Sequence, residues 1–208
     1  MKLVFATGNK GKLREAAEIL GPGFELLTPA DLGITEELPE TAMTLKENSI
    51  QKATALHALC SMDCFADDTG LEVDALGGAP GAHAARFAVD MARRDGLPLP
   101  PDHDFSANID ALLRELDKHP GEPRTARFRS VVTLLLDGGT YFFEGTLEGR
   151  IALQRSGSGG FGYDPVFIAD DYPDRSVAEL PEETKNAISH RGKALRAMAL
   201  WLQENGYE

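Results

Sequence analysis

A mixed α/β fold is predicted by three features of the sequence. Short apolar runs alternate with helical stripes through the N-terminal part, two long runs meet at Asp137-Gly138-Gly139 as a β-hairpin, and the chain closes on an amphipathic stretch. With 208 residues the chain can bury a real core, as one domain or as two closely packed lobes. Charged residues at 26% and hydrophobic residues at 42% make an ordinary soluble composition.

Lys2 to Ala6 reads as a strand that runs through Thr7-Gly8-Asn9-Lys10-Gly11-Lys12 into a helix, with Leu13, Ala16, Ala17 and Leu20 on its inner stripe. Phe24 to Thr28 reads as a second strand. A loop carrying Glu36, Glu37 and Glu40 leads to Thr41 or Thr44, either suited to cap a helix ending near Leu59. Leu45, Ile50, Ala53, Leu56 and Leu59 are its apolar positions, and Lys46, Glu47, Gln51 and Lys52 read by default as a solvated face. Phe65-Ala66-Asp67-Asp68-Thr69-Gly70 reads as a strand with carboxylates at its tip and a glycine that turns the chain. Ala75 to Gly81 is a tight loop, and a short helix bearing Arg86 follows. The prolines of residues 92–103 predict a linker or lobe crossing. A helix is expected from Ser106 to Lys118, then strands over Arg127 to Leu136 and Thr140 to Leu153. A glycine-rich loop, Gly157 to Pro165, opens into a strand at Val166-Phe167-Ile168, and Glu182 to Arg191 leads into a helix with Leu195, Met198, Leu200 and Leu202 apolar.

The net charge of −12 argues against general nucleic-acid or membrane-surface binding, so an anionic substrate needs a local basic island. No apolar run approaches transmembrane length, and Met1-Lys2 leads into a strand rather than a signal peptide. Cys60 and Cys64 are the only cysteines, which fits a reduced, cytoplasmic compartment. With His57 they lack a fourth zinc ligand, and a structural role is expected of all three.

Four stretches carry chemistry. An isolated Asp-Asp usually opens a solvated turn; beside basic loops, Asp68 is expected to be the working acid with Asp67 supporting it, since a pleat sends neighbours to opposite faces. The Thr7 to Lys12 turn, between a strand and a helix start, suits an anion: backbone N–H groups and the helix dipole face it, and Asn9, Lys10 and Lys12 add donors. It is not a Walker A loop, because its spacing is too short and Leu13 replaces the Ser/Thr. Phe161 amid glycines suggests backbone close to a flat ligand, with a ring to stack on it. Lys185, Ser189, His190 and Arg191 form a polar cluster at a helix start.

Taken in order, Thr7-Gly8-Asn9-Lys10-Gly11-Lys12, Asp67-Asp68-Thr69-Gly70, Gly77-Gly78-Ala79-Pro80-Gly81, Gly160-Phe161-Gly162-Tyr163-Asp164-Pro165 and Ser189-His190-Arg191-Gly192 resemble the inosine triphosphate pyrophosphatase family, also called Ham1-like, and its bacterial XTP/dITP diphosphatases in particular. The resemblance implies a single domain over 1–208, with an elongated mixed β-sheet and flanking helices forming two lobes and the site in the cleft between them. It implies a homodimer and Mg²⁺-dependent hydrolysis of dITP, ITP and XTP to the monophosphate and pyrophosphate. By position, Thr7, Gly8, Asn9, Lys10, Gly11 and Lys12 would hold the triphosphate, and Lys52 would reach it from its helix, against the solvated default. Glu40 and Asp68 would hold magnesium, Asp68 would activate water, and Thr69 would touch substrate. Phe161, Gly162, Tyr163, Asp164, Lys185, His190 and Arg191 would enclose base and sugar. Ala42 stands where the family often has glycine.

A 6-oxo purine accepts hydrogen bonds, so donors such as Arg191 and His190 suit hypoxanthine and xanthine, while the 6-amino group of adenine sets donor against donor. Guanine shares the 6-oxo group, so its exclusion requires a further discrimination at the 2-position. Three rivals are a non-catalytic purine nucleotide sensor, a Maf-like pyrophosphatase for other modified nucleotides, and an aspartic protease suggested by Asp68-Thr69-Gly70.

Overall fold

Lys2–Phe5 forms β1 in the computed structural model, which describes residues 1–207. Helix α1 (Lys10–Leu20) follows, then β2 (Glu25–Leu27), α2 (Leu45–Cys60) and β3 (Cys64–Val73). A short β4 (Pro80–Gly81) precedes α3 (Phe87–Asp95) and α4 (Phe105–Leu116), and β5 (Thr125–Leu136) turns into β6 (Gly139–Ile151). The chain ends with β7 (Phe167–Ala169), α5 (Glu182–Ile188) and α6 (His190–Glu204). It divides into two units. The first holds Met1–Thr69, Ser130–Thr146 and the chain from Ser189 onward; the second holds Gly70–Arg129 and Leu147–Ile188.

In the first unit β1 is parallel to β2 and to β3, with Val4 opposite Cys64 and Phe5 opposite Phe65. Both faces of these strands are covered. Phe5 and Phe65 stack at 4.3 Å and join Ala16 and Leu20 of α1 with Ala194, Leu195, Met198 and Leu202 of α6. The alternate residues Val4, Ala6, Cys64 and Ala66 face Ala53 and Leu56 of α2 instead. Thr44 caps α2 by accepting the Glu47 N–H at 3.2 Å. Between β5 and β6 the two-residue turn Asp137-Gly138 takes positive φ at both positions (49° and 75°), the hairpin geometry that suits the twist of the strands.

The second unit packs Leu71, Val73, Phe87, Ile109, Leu112, Leu116 and Phe167 into its own core. There β4 lies antiparallel to β3 and β7 antiparallel to β6. Among the described residues no helix is long and apolar enough to cross a membrane.

Four expectations are corrected. The Asp67-Asp68 pair is mid-strand rather than at a strand tip, because Gly70 continues β3 into Leu71-Glu72-Val73, where β4 supplies a partner strand. Residues 92–103 are no lobe crossing: α3 extends through Asp95, and both flanks belong to the second unit. Ala17, Leu59 and Leu200 are exposed, since each lies off the buried stripe of its helix. Lys52 is 5% exposed, which overturns its solvated default.

Gly145 of β6 sets how closely α6 approaches the sheet: an added Cβ would lie 2.1 Å from the His190 carbonyl oxygen and 2.6 Å from the Ala194 nitrogen. Gly145→Ala is therefore expected to destabilise the chain by about 2 kcal/mol, as overpacking against backbone does. That corresponds to a Tm lowered by about 4–8 °C in a scanning melt; an unchanged Tm would contradict the packing.

Candidate active site

The pleat of β3 distributes its two acids. Asp67 shares the face of Phe65, toward α1 and α6, while Asp68 shares the face of Ala66, toward α2. Each acid meets a lysine from its own side. Asp67 is 1% exposed, and both its carboxylate oxygens accept from Lys12 Nζ, at 3.0 and 2.7 Å. Burial works to raise the Asp67 carboxyl, yet Lys12, Lys52 and Arg191 together hold it below the usual carboxylate range.

Asp68 is 9% exposed and faces Lys52, whose Nζ lies 3.6 Å from Oδ1. Lys52 Nζ also donates to Glu40 Oε1 at 2.6 Å and to the Asp67 carbonyl oxygen. Burial opposes the Lys52 charge, but Asp67, Asp68 and Glu40 outweigh it and raise its pKa. For Asp68 the balance is opposite: burial lifts the carboxyl above its usual range, with Glu40 and Asp67 adding to it, against Lys52 and Asn48. One strand thus carries a carboxyl held below its usual range beside one lifted above it.

Helix α2 also holds the loop that presents Glu40. The Thr41 N–H donates to Gln51 Oε1 at 3.0 Å and the Ala42 N–H to Asn48 Oδ1 at 2.8 Å, while Asn48 Nδ2 donates to Asp68 Oδ2 at 3.1 Å. Ala42 does not adopt a positive φ, so its backbone does not call for a glycine. Three or more His, Cys, Asp or Glu side chains placed to hold a metal by themselves are not found among the described residues; Glu40 and Asp68 are a pair. His57 and Cys60 turn to the Met62 carbonyl and Cys64 to that of Ala53.

The Thr7 to Lys12 turn begins α1 as expected. Asn9 caps the helix by accepting the N–H groups of Gly11 at 2.8 Å and Lys12 at 3.1 Å, and its own N–H goes to Thr7 Oγ1 at 3.1 Å. Gly8, Asn9 and Lys10 are exposed, whereas Lys12 is turned inward to Asp67. Thr69 Oγ1 donates to Ser130 Oγ at 3.2 Å. On α6, Ser189 is the N-cap residue, and Arg191 is held through Nε and Nη2 by Glu15 of α1, both at 2.7 Å. Burial, helped by Arg191, pulls the His190 pKa down to about 3, so the imidazole is neutral at pH 7.

The remaining expected residues lie in the second unit. Phe161 is 70% exposed, and its ring meets Phe105 edge-on at 4.3 Å. Arg155 fastens the same loop to α4 through Ser106 and Asp110. Gly160 must be glycine: its φ is +91°, and a Cβ would fall 2.2 Å from Asp164 Oδ2. That carboxylate accepts the Phe161 N–H at 2.9 Å, and Tyr163 is buried with its hydroxyl donating to the Ala84 carbonyl at 2.7 Å. Both side chains therefore shape the loop from within. Lys185 stands on α5, a helix separate from α6, so the sequence cluster with Ser189, His190 and Arg191 is split between two elements. Its charge nonetheless acts on Asp164.

Sequence reading missed Glu15 and Asn48. Their partners, Arg191 for Glu15 and Asp68 for Asn48, lie far along the chain, and no local spacing announces them.

Comparison with known proteins is consistent across sequence and fold. A dITP/XTP pyrophosphatase of Porphyromonas gingivalis is 47% identical over 194 residues, covering 93% of each chain. The dITP/XTP pyrophosphatase of Bacillus subtilis is 42% identical over 202 residues, covering 96% of each. The solved Staphylococcus aureus Ham1 protein superposes with a TM-score of 0.86 at 32% identity, covering 99% of this chain and 100% of that one. With the sequence model of the Ham1 family matching residues 3–201, this chain belongs to the Ham1 family.

Proposed function

We propose that this chain is a house-cleaning pyrophosphatase that hydrolyses dITP, ITP and XTP to the nucleoside monophosphate and pyrophosphate. The observation that carries the reading is the buried pair Asp67 and Asp68, adjacent acids on one strand that are each matched by a lysine from a different helix, with the exposed Glu40 joined to one of those lysines, Lys52. Relatives named for dITP and XTP support the substrate class. An aspartic protease is disfavoured, since Asp68 faces an ammonium rather than a second carboxyl with which to share a proton.

The donor set fits magnesium, which takes oxygen ligands and needs only one or two carboxylates beside its waters and the substrate phosphates. Glu40 and Asp68 would hold it, both converging on Lys52 Nζ. When bound, the ion would offset phosphate charge. Asp68 takes the proton of the attacking water from its place beside the Lys52 ammonium. The water oxygen bonds to the α-phosphorus as the bond to the bridging oxygen of the β-phosphate breaks, and pyrophosphate leaves. Lys52 keeps a positive charge beside the phosphates, and Thr7 to Lys12 contributes the exposed Gly8, Asn9 and Lys10.

For the base, Arg191 is a donor toward the 6-oxo group, its guanidinium oriented by Glu15. A homodimer and a cytoplasmic location belong to the same proposal; Cys60 and Cys64 as free thiols fit a reducing compartment.

Asp68→Asn is expected to lower kcat for ITP by about 100-fold or more while the protein melts as before; a rate near wild type would reject Asp68 as the acting base. In a pyrophosphate-release assay ITP should exceed ATP in kcat/KM by about 100-fold or more, and parity would overturn the specificity. Chelator should abolish turnover and added Mg²⁺ restore it, whereas indifference to chelator would remove the metal from the proposal.

A further inference from the structure

Asn48 is 3% exposed on α2 and uses both ends of its carboxamide within the site. Its Oδ1 accepts the Ala42 N–H at 2.8 Å, and its Nδ2 donates to Asp68 Oδ2 at 3.1 Å. The orientation is dictated by its partners: a flipped amide would set N–H against N–H and oxygen against carboxylate. No other neutral side chain of this length offers one acceptor and one donor on the same planar group. An aspartate would keep the acceptor and lose the donor.

The carboxamide also competes with Lys52. That ammonium, 3.6 Å from Asp68 Oδ1, is already bound to Glu40 and to the Asp67 carbonyl. With Oδ2 pinned by Asn48, the Asp68 carboxylate is not free to swing into a closer pair that would occupy its lone pairs. At its other end Asn48 ties residue 42 to α2, two residues from Glu40.

We infer that Asn48 is a positioning residue for the reaction: it fixes the rotation of the Asp68 carboxylate and, through the Ala42 N–H, the distance between that carboxylate and the loop bearing Glu40. The inference rests on the reading of Asp68 as the acting base.

The test compares Asn48→Ala and Asn48→Asp in wild-type and Asp68→Asn backgrounds, with ITP turnover, calorimetric affinity for a non-hydrolysable ITP analogue, and thermal melts. Asn48→Ala is expected to lower kcat by about 10- to 100-fold, the worth of a hydrogen bond to a charged group, and to leave analogue affinity within about threefold. Asn48→Asp, which sets a like charge against Asp68, should lose more. On the Asp68→Asn background Asn48→Ala should cost at least about threefold less than in the wild type, because the carboxylate it orients is gone and only the tether to Ala42 remains. A kcat for Asn48→Ala within about twofold of wild type in a folded protein would overturn the inference. So would a loss that carries over in full to the Asp68→Asn background, as a merely structural role would give. If Asn48→Ala lacks a cooperative melt, Asn48→Ser carries the same comparison. An active Asp68→Asn enzyme would instead defeat the underlying reading, whereas an inactive Asp68→Asn beside a fully active Asn48→Ala would defeat this inference alone.

Discussion

Two adjacent carboxylates sit in the interior of a strand that is covered on both faces, and the first unit is arranged around what that demands. A carboxylate removed from water is costly unless a cation and hydrogen bonds replace the solvent. Because neighbouring residues of a strand face opposite ways, one helix cannot serve both acids. Lys12 therefore comes from α1 on one side and Lys52 from α2 on the other. The parallel arrangement of β1 and β3, which brings α1 and α2 over opposite faces, makes this possible.

The same arrangement separates the two acids chemically. Asp67 is enclosed by positive charge that holds its carboxyl below the usual range, which commits it to a structural pair with Lys12. Asp68 has a higher proton affinity, and one oxygen is engaged by a neutral amide. A fold that had to neutralise one acid has thereby placed a second, less encumbered one beside a buried ammonium. The helix start at Asn9 and the Glu15–Arg191 pair are built on the α1 side of the sheet, so the proposed phosphate and base contacts share one scaffold with Asp67.

Much of the fold was legible because its signals are local. The Thr44 cap, the Asp137-Gly138 turn and the helix following Thr7 to Lys12 follow from residue types at fixed offsets. The site was legible in its acids and its basic loops, but less in its geometry. Gly70 read as a turn because a glycine after two acids usually is one; its place inside β3 depends on β4, which lies farther along the chain. Lys52 read as solvated because a helical stripe does not reveal a polar face that is buried against other polar groups. Asn48 and Glu15 escaped notice for a related reason: their partners, Asp68 and Arg191, are long-range, and a neutral amide or a surface-type acid carries no local signal of them. Residues 92–103 misled because prolines mark irregular backbone, not its place relative to a unit boundary.

If buried charge neutralisation organises the first unit, the Lys12–Asp67 pair should be strongly coupled in stability. A double-mutant cycle in urea unfolding, with Lys12→Met, Asp67→Asn and the two combined, measures that coupling directly. The expected result is a loss of about 3 kcal/mol or more for Lys12→Met, which strands a buried carboxylate, and recovery of most of it in the double variant. A Lys12→Met loss below about 1 kcal/mol that simply adds to that of Asp67→Asn would be the behaviour of a surface ion pair, and would contradict the account.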